Sequence, residues 1–276
     1  MFEHITASSL LLAWDRGCGG SHVQRGLELM TLAAPSYSRR ALEMISIGDR
    51  DRLLIGLRRS LFGSTVVSVE ECSACQERIE IDFDLRQFDL CASTTNARFF
   101  GEYNGRTWCW RLPNSRDLLE LDRQRQMRKS LDIRRTLFAF CLVDEPTALS
   151  GMVGEPTEPR NALELKSSAS DALESAADNR EACPEFPEDL ITQITQKMDA
   201  ADSSADIQVR LECAACQNEW SRPFDIVTYL WEELDTFCQR ILLDVHRLAR
   251  AYGWSEEQVL GLSPWRRQVY LSLVNP

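Results

Sequence analysis

Two short phrases hold the residues with which this chain can do chemistry. Glu71-Cys72-Ser73-Ala74-Cys75-Gln76 returns as Glu212-Cys213-Ala214-Ala215-Cys216-Gln217, and Phe83-Asp84 returns as Phe224-Asp225, always 141 residues later (212 − 71 = 141). Over 71–84 and 212–225, 7 of 14 positions are identical, so the two segments are expected to be structurally equivalent. Two thiols three positions apart in a tight turn suit a thiophilic metal, and two such turns supply the four sulfurs of a tetrahedral site. Cys72, Cys75, Cys213 and Cys216 are therefore the expected ligands of one structural Zn²⁺ per chain. Iron accepts the same four thiolates, so residue types leave the ion open. A thioredoxin-like redox pair requires a CxxC that opens a helix after a strand, and neither phrase does so. Closing the loop of 138 residues between the knuckles (213 − 75 = 138) costs roughly 4 kcal/mol. Structural zinc contributes on the order of 10–16 kcal/mol, so one shared site that clamps the two halves together is feasible. Cys91 and Cys238 are the nearest other thiols, and neither falls where it would complete a knuckle alone.

Catalytic constellations are hard to find. The histidines are His4, His22 and His246, and the last falls beside the apolar stripe of a long helix, where a structural or surface role is expected. Gly17, Gly19 and Gly20 surround Cys18 without the Lys-Ser/Thr step of a phosphate loop. The basic run Arg123, Arg125, Arg128, Lys129, Arg134 and Arg135 is interleaved with Asp122 and Asp132, which reads as a solvated helix face rather than a phosphate track. Trp231, Trp254, Trp265 and Tyr270 crowd the C-terminal helices; such aromatics build cores, and they also suit a partner-binding surface. The reading is of a protein that is not an enzyme.

The elements that must position the cysteines follow from spacing and punctuation. Residues 1–63 read as an N-terminal helical bundle, with helices from Leu10, from Val23 to Leu32, from Ser38 to Ile45 and from Asp49 to Leu61, and Gly63 as a stop. Residues 64–143 hold the first knuckle between strands Thr65–Val69 and Ile79–Phe83, then a hairpin turning at Asn104-Gly105, then helices from Ser115 to Met127 and from Ile133 to Leu142. Residues 144–186 are rich in Pro, Gly, Ser, Ala and acids and read as a flexible, exposed insertion with a weak helix near 161–178. Residues 187–276 bring a helix to Met198, the strand Ile207–Leu211, the second knuckle, a long helix and two short ones. In the long helix Leu230, Leu234, Phe237, Ile241, Val245, Leu248 and Tyr252 hold one face to a stop at Gly253. The expected fold class is α+β, predominantly α-helical, with a small zinc-ribbon-like β unit built from the two CxxC knuckles.

Charge and cysteine usage narrow the setting. Of the formal −11, residues 144–206 supply 15 acidic and 4 basic side chains, leaving 27 of each sign elsewhere (42 − 15 and 31 − 4). The acidity belongs to one segment and gives nucleic acid no general attraction. Of the ten cysteines, the six outside the knuckles (Cys18, Cys91, Cys109, Cys141, Cys183 and Cys238) show no regular spacing, and with no signal-peptide start they read as reduced thiols, with Cys141 and Cys238 as small buried hydrophobes. No apolar run is long enough to span a bilayer, so a soluble, cytosolic protein is expected.

The order of these parts resembles a known family. The residues are Arg58-Arg59-Ser60-Leu61-Phe62-Gly63, the two knuckles, Leu112-Pro113-Asn114-Ser115-Arg116-Asp117-Leu118, Leu230-Trp231-Glu232-Glu233, His246-Arg247-Leu248-Ala249, Ala251-Tyr252-Gly253-Trp254-Ser255-Glu256 and Leu262-Ser263-Pro264. Together they are similar to the baseplate hub assembly chaperones of T-even-type phages and related contractile tail and injection systems. The resemblance is densest over 207–274 and leaves out 144–186. It implies a non-enzymatic helper that acts on baseplate hub or spike proteins in the bacterial host cytoplasm. Two alternatives stay open: a zinc-ribbon nucleic-acid-binding or transcription-associated protein, and a structural baseplate component retained in the particle.

Overall fold

The computed structural model describes residues 5–88, 97–127, 131–143 and 186–274. Four helices open the chain: α1 (Ala7–Gly17), α2 (His22–Ala33), α3 (Arg39–Glu43) and α4 (Ile47–Phe62). Each begins where a Ser or Thr side chain accepts a backbone N–H of the first turn: Thr6, Ser21, Ser38 and Ser46. Thr6 with Ser9 and Ser21 with Gln24 close reciprocal capping boxes, satisfying donors that a helix start otherwise leaves unpaired.

Three antiparallel hairpins follow the β-branched and alternating stretches. β1 (Thr65–Glu71) pairs with β2 (Arg78–Asp84), β3 (Phe99–Tyr103) with β4 (Arg106–Trp110), and β5 (Gln208–Glu212) with β6 (Glu219–Pro223). The expected Asn104-Gly105 turn joins β3 to β4. Between the second and third hairpins lie α5 (Ser115–Met127), α6 (Ile133–Cys141) and α7 (Glu188–Ala201). At the start of α5, Asn114 and Asp117 exchange hydrogen bonds, each side chain accepting the other's backbone N–H. The Asp117 carboxylate also takes a two-pronged contact from Arg111 at 2.6 and 2.7 Å, tying the helix to the end of β4. The insertion expected over 144–186, its weak helix, and Cys91, Arg128 and Lys129 lie outside the described residues, apart from Phe186.

The chain ends in α8 (Ile226–Tyr252), α9 (Glu256–Leu260) and α10 (Pro264–Val274). Asp225 caps α8, Gly253 ends it in the left-handed conformation (φ 69°), and Ser255 with Gln258 forms a capping box at α9. α8 packs on α1, α2 and α4, and one core takes Leu27, Met30, Leu54 and Ile55 from the first half with Leu230, Leu234, Ile241 and Leu248 from α8. The two halves of the chain thus share one hydrophobic core, in which each fully buried Leu or Ile contributes about 1.5–3 kcal/mol. A second cluster joins Trp110 of β4, Leu112 just after it, Phe138 of α6 and Leu190, Ile191 and Ile194 of α7. Cys141 and Cys238 are buried, as expected of small hydrophobes. The whole is α+β, mainly helical, with small antiparallel sheets.

The alternation expected of a half-buried strand is present in β1, where Val66 points inward and Val67 and Val69 are exposed. Glu219-Trp220-Ser221-Arg222-Pro223, by contrast, has no β-branched residue, and its strand is anticipated only through the repeat with β2.

Candidate metal centre

The two knuckles are the turns of two hairpins. Cys72 ends β1's run and Cys75 precedes β2; Cys213 and Cys216 stand in the same places between β5 and β6. In each, the first Cys accepts an N–H at its carbonyl from the residue four positions on, Gln76 to Cys72 at 2.9 Å and Gln217 to Cys213 at 2.8 Å. Each first Cys also donates its own N–H one residue further, Cys72 to Glu77 and Cys213 to Asn218. Gln76 and Gln217 close the turns with positive φ, 63° and 59°. A residue other than Gly in that region is held there by its surroundings, and here it occurs at both copies of the repeat. The sequence marks the position by identity of the two Gln, although nothing in the residue type announces the conformation.

This geometry brings all four sulfurs together. Cys72 Sγ lies 3.6 Å from Cys216 Sγ, and Cys75 Sγ lies 3.6 Å from Cys213 Sγ. All four lie within 4.8 Å of one another, and none is disulfide-bonded. A tetrahedron with zinc–sulfur bonds of about 2.3 Å has edges of about 3.8 Å, so the donor set fits such an ion. One sulfur of each knuckle is buried (Cys72, Cys213) and the other faces outward (Cys75, Cys216). Among the described residues no other group of three or more His, Cys, Asp or Glu converges in this way.

Backbone amides surround the sulfurs with partial positive charge. The N–H groups of Cys75 and Ala74 point at Cys72 and hold its thiol down to about 6. Cys75 receives an N–H from Glu77, which favours its thiolate, yet the sulfurs of Cys216 and Cys213 and burial push it up to about 12. Cys216, which takes the matching N–H from Asn218, is also raised. Negative charge is favoured at Cys72 and opposed at Cys75 and Cys216, an imbalance that a divalent cation corrects.

Side chains around the centre join one hairpin to the other. Asn218 donates to Ser73 Oγ at 3.2 Å, and Arg222 pairs with Glu70 at 2.8 Å. Tyr229 on α8 both donates to and accepts from the backbone of Val67 at 3.2 and 3.3 Å, tying the edge of β1 to the helix.

The aromatic residues anticipated as partner-facing divide sharply. Trp231 is a correction: it is buried, and its ring lies so near α1 that a Cβ added to Gly17 would fall 2.4 Å from it. Its place is explained by Val227, Trp231 and Cys238, which widen the buried face of α8 beyond the expected stripe. Trp254 and Tyr270 are half-buried and pack with Tyr252, Trp254 stacking on Tyr252 at 4.7 Å and meeting Tyr270 edge-on at 4.9 Å. They fasten α10 to the end of α8. Trp265 is 78% exposed, and Val269 and Leu273, not singled out in the sequence, are exposed on the same face. They follow Trp265 at intervals of four, while Tyr270, Leu271 and Val274 give the opposite face an apolar character of its own.

Several other titratable side chains among the described residues make contacts within the chain. His22 lies 2.8 Å from Asp225, and that carboxylate also accepts Thr228 Oγ1 at 2.6 Å while capping α8. His246 is exposed on α8. Arg123 pairs with Glu120, and Arg134 and Arg135 both reach Glu188. No helix among the described residues is long and apolar enough to cross a membrane. No protein-family model, curated protein or solved structure matches the chain.

Proposed function

We propose that this chain is a non-enzymatic assembly factor for the baseplate hub of a contractile phage tail or related injection system, built around one structural Cys₄ zinc site. The observation that carries the structural half of this reading is the convergence of two knuckles, 141 residues apart, on one cluster of four sulfurs. Four protein donors fill the coordination of a tetrahedral ion, which leaves no open position for substrate and is the mark of a structural rather than a catalytic zinc. The unit is zinc-ribbon-like, with each ribbon a hairpin. Its role is to clamp the chain on either side of residues 144–186 so that both halves contribute to one helical body.

The functional half is supported by the resemblance in the C-terminal helices and by the exposed apolar face of α10, which suits a protein that works by holding another. The partners are baseplate hub or spike proteins, met in the bacterial cytoplasm during assembly. A nucleic-acid reading finds less support, because Arg123, Arg134 and Arg135 already face carboxylates of their own chain. The test is co-expression of the tagged chain with the hub and spike proteins of its own gene cluster, followed by affinity purification. Recovery of a hub or spike protein in a defined ratio supports the proposal; recovery of nucleic acid or polymerase subunits overturns it.

A further inference from the structure

α10 is apolar on two opposite faces. Tyr270, Leu271 and Val274 pack against the main core, and Arg267 on that side is only 5% exposed. On the other side Trp265, Val269 and Leu273 follow at intervals of four residues and are 78%, 42% and 64% exposed. Side chains so spaced line up along one helix face. An exposed apolar stripe of this kind, on the side away from the core, has the composition of a surface that something covers.

Charge selects the occupant. Residues 237–276 contain Arg240, Arg247, Arg250, Arg266 and Arg267 against Asp244, Glu256 and Glu257, a balance of +2, whereas residues 1–236 carry −13 (−11 − 2 = −13). Arg240, Arg247, Arg250 and Arg266 are exposed, and α10 itself bears no carboxylate. The unpartnered apolar face therefore sits in a segment whose exposed charged side chains are mostly arginines. A second copy would set two such basic ends against each other, which like charge disfavours.

We propose that the Trp265, Val269 and Leu273 face of α10 is a docking site for an amphipathic helix of a partner protein whose apolar stripe is flanked by Asp and Glu. Leu or Phe side chains of the partner pack over Trp265 and between Val269 and Leu273, while its carboxylates meet Arg266 and the arginines of α8. This deepens the assembly-factor reading and rests on it only in that the chain acts by binding another protein.

The test uses the full chain and two labelled synthetic helical peptides, one with Leu on one face and Glu on the other, and its twin with Lys at every Glu. Fluorescence anisotropy is expected to give at least about tenfold tighter binding of the Glu peptide, weakened about tenfold by Trp265→Ala or Leu273→Ala. Arg266→Glu is expected to narrow the preference between the peptides. Trp265 stands outside the core, and an unchanged thermal melt of Trp265→Ala verifies that folding is intact. Equal binding of both peptides, or indifference to Trp265→Ala, overturns the proposal. So does a concentration-dependent dimer abolished by Trp265→Ala, which makes a second copy the occupant, or sedimentation with phosphatidylserine vesicles abolished by the same change, which makes it a lipid surface. If hub or spike complexes survive Trp265→Ala, the docking face is wrong and the assembly reading stands. If the peptides are discriminated but neither hub nor spike protein binds, the reverse holds.

Discussion

Phe83 and Phe224, equivalent residues of the two repeats, meet edge to face with ring centres 5.1 Å apart and planes at 86°. A residue touching its own counterpart is what a local two-fold relationship between two copies produces. The same relationship runs on into the residues that follow: Asp84 accepts the N–H of Arg86 at the start of a 3₁₀ turn, and Asp225 accepts those of Val227 and Thr228 at the start of α8. Sulfur cluster at one end and phenylalanine pair at the other thus join the hairpins at both ends. Either knuckle alone offers two sulfurs, so the centre belongs to both repeats jointly.

The carboxylate of Asp202 accepts the N–H of Gly48 at 3.0 Å, at the positive end of α4. A Cβ on Gly48 would stand 1.8 Å from Asp202 Oδ1. Gly48→Ala is therefore expected to cost about 1–3 kcal/mol in urea denaturation, as overpacking of a tight site does. On an Asp202→Ala background the same substitution is expected to cost much less, because the two residues share one contact.

Arg58 crosses from α4 to α8. Its guanidinium meets Glu233 at 2.8 and 3.0 Å, donates to the Gly63 carbonyl at 2.7 Å and lies 5.5 Å from the Tyr229 ring centre. Arg58 is buried and Glu233 only partly so. Arg58→Met preserves much of the packing but strands Glu233, with an expected loss on the order of 3 kcal/mol. Arg58→Met combined with Glu233→Gln should be less destabilised than the sum of the two, in the same denaturation assay.

Asp225 responds to acid in a defined direction. Burial opposes its charge, but hydrogen bonds from His22 and Thr228 outweigh that and hold the carboxyl well below the usual carboxylate range. A group depressed in the folded state contributes stability that is complete above the unfolded value of about 3.9 and is lost as pH falls below it toward the folded value. Asp225→Asn should therefore be less stable than the parent at pH 7, with the gap narrowing between about pH 5 and pH 2. A gap that stays constant across that range would show that the carboxylate charge adds nothing.

Much of this was legible because short-range signals coincide. Apolar spacing marked the helices of the first half, Gly253 the end of α8, and the exact 141-residue offset the paired knuckles. Less legible were features set by partners distant in sequence. Trp231 sits two residues from charged Glu233 on a helix with exposed faces, and the approach of Gly17 from α1 and Arg25 from α2 makes it interior. Asp202 looks like one more acid of an acidic stretch until α4 arrives beside it. The left-handed Gln76 and Gln217 follow from the turn that the sulfurs share, not from a preference of Gln.

Metal analysis of the purified full chain by native mass spectrometry, with Cys72→Ser and Cys213→Ser alongside, tests the shared centre. One zinc per chain is expected, consistent with a single Cys₄ site, and either substitution should weaken metal binding to a similar degree, since each removes one of four ligands from the same ion. Two metals per chain, or one knuckle that keeps its metal at full affinity when the other is broken, would contradict a single clamp between the halves.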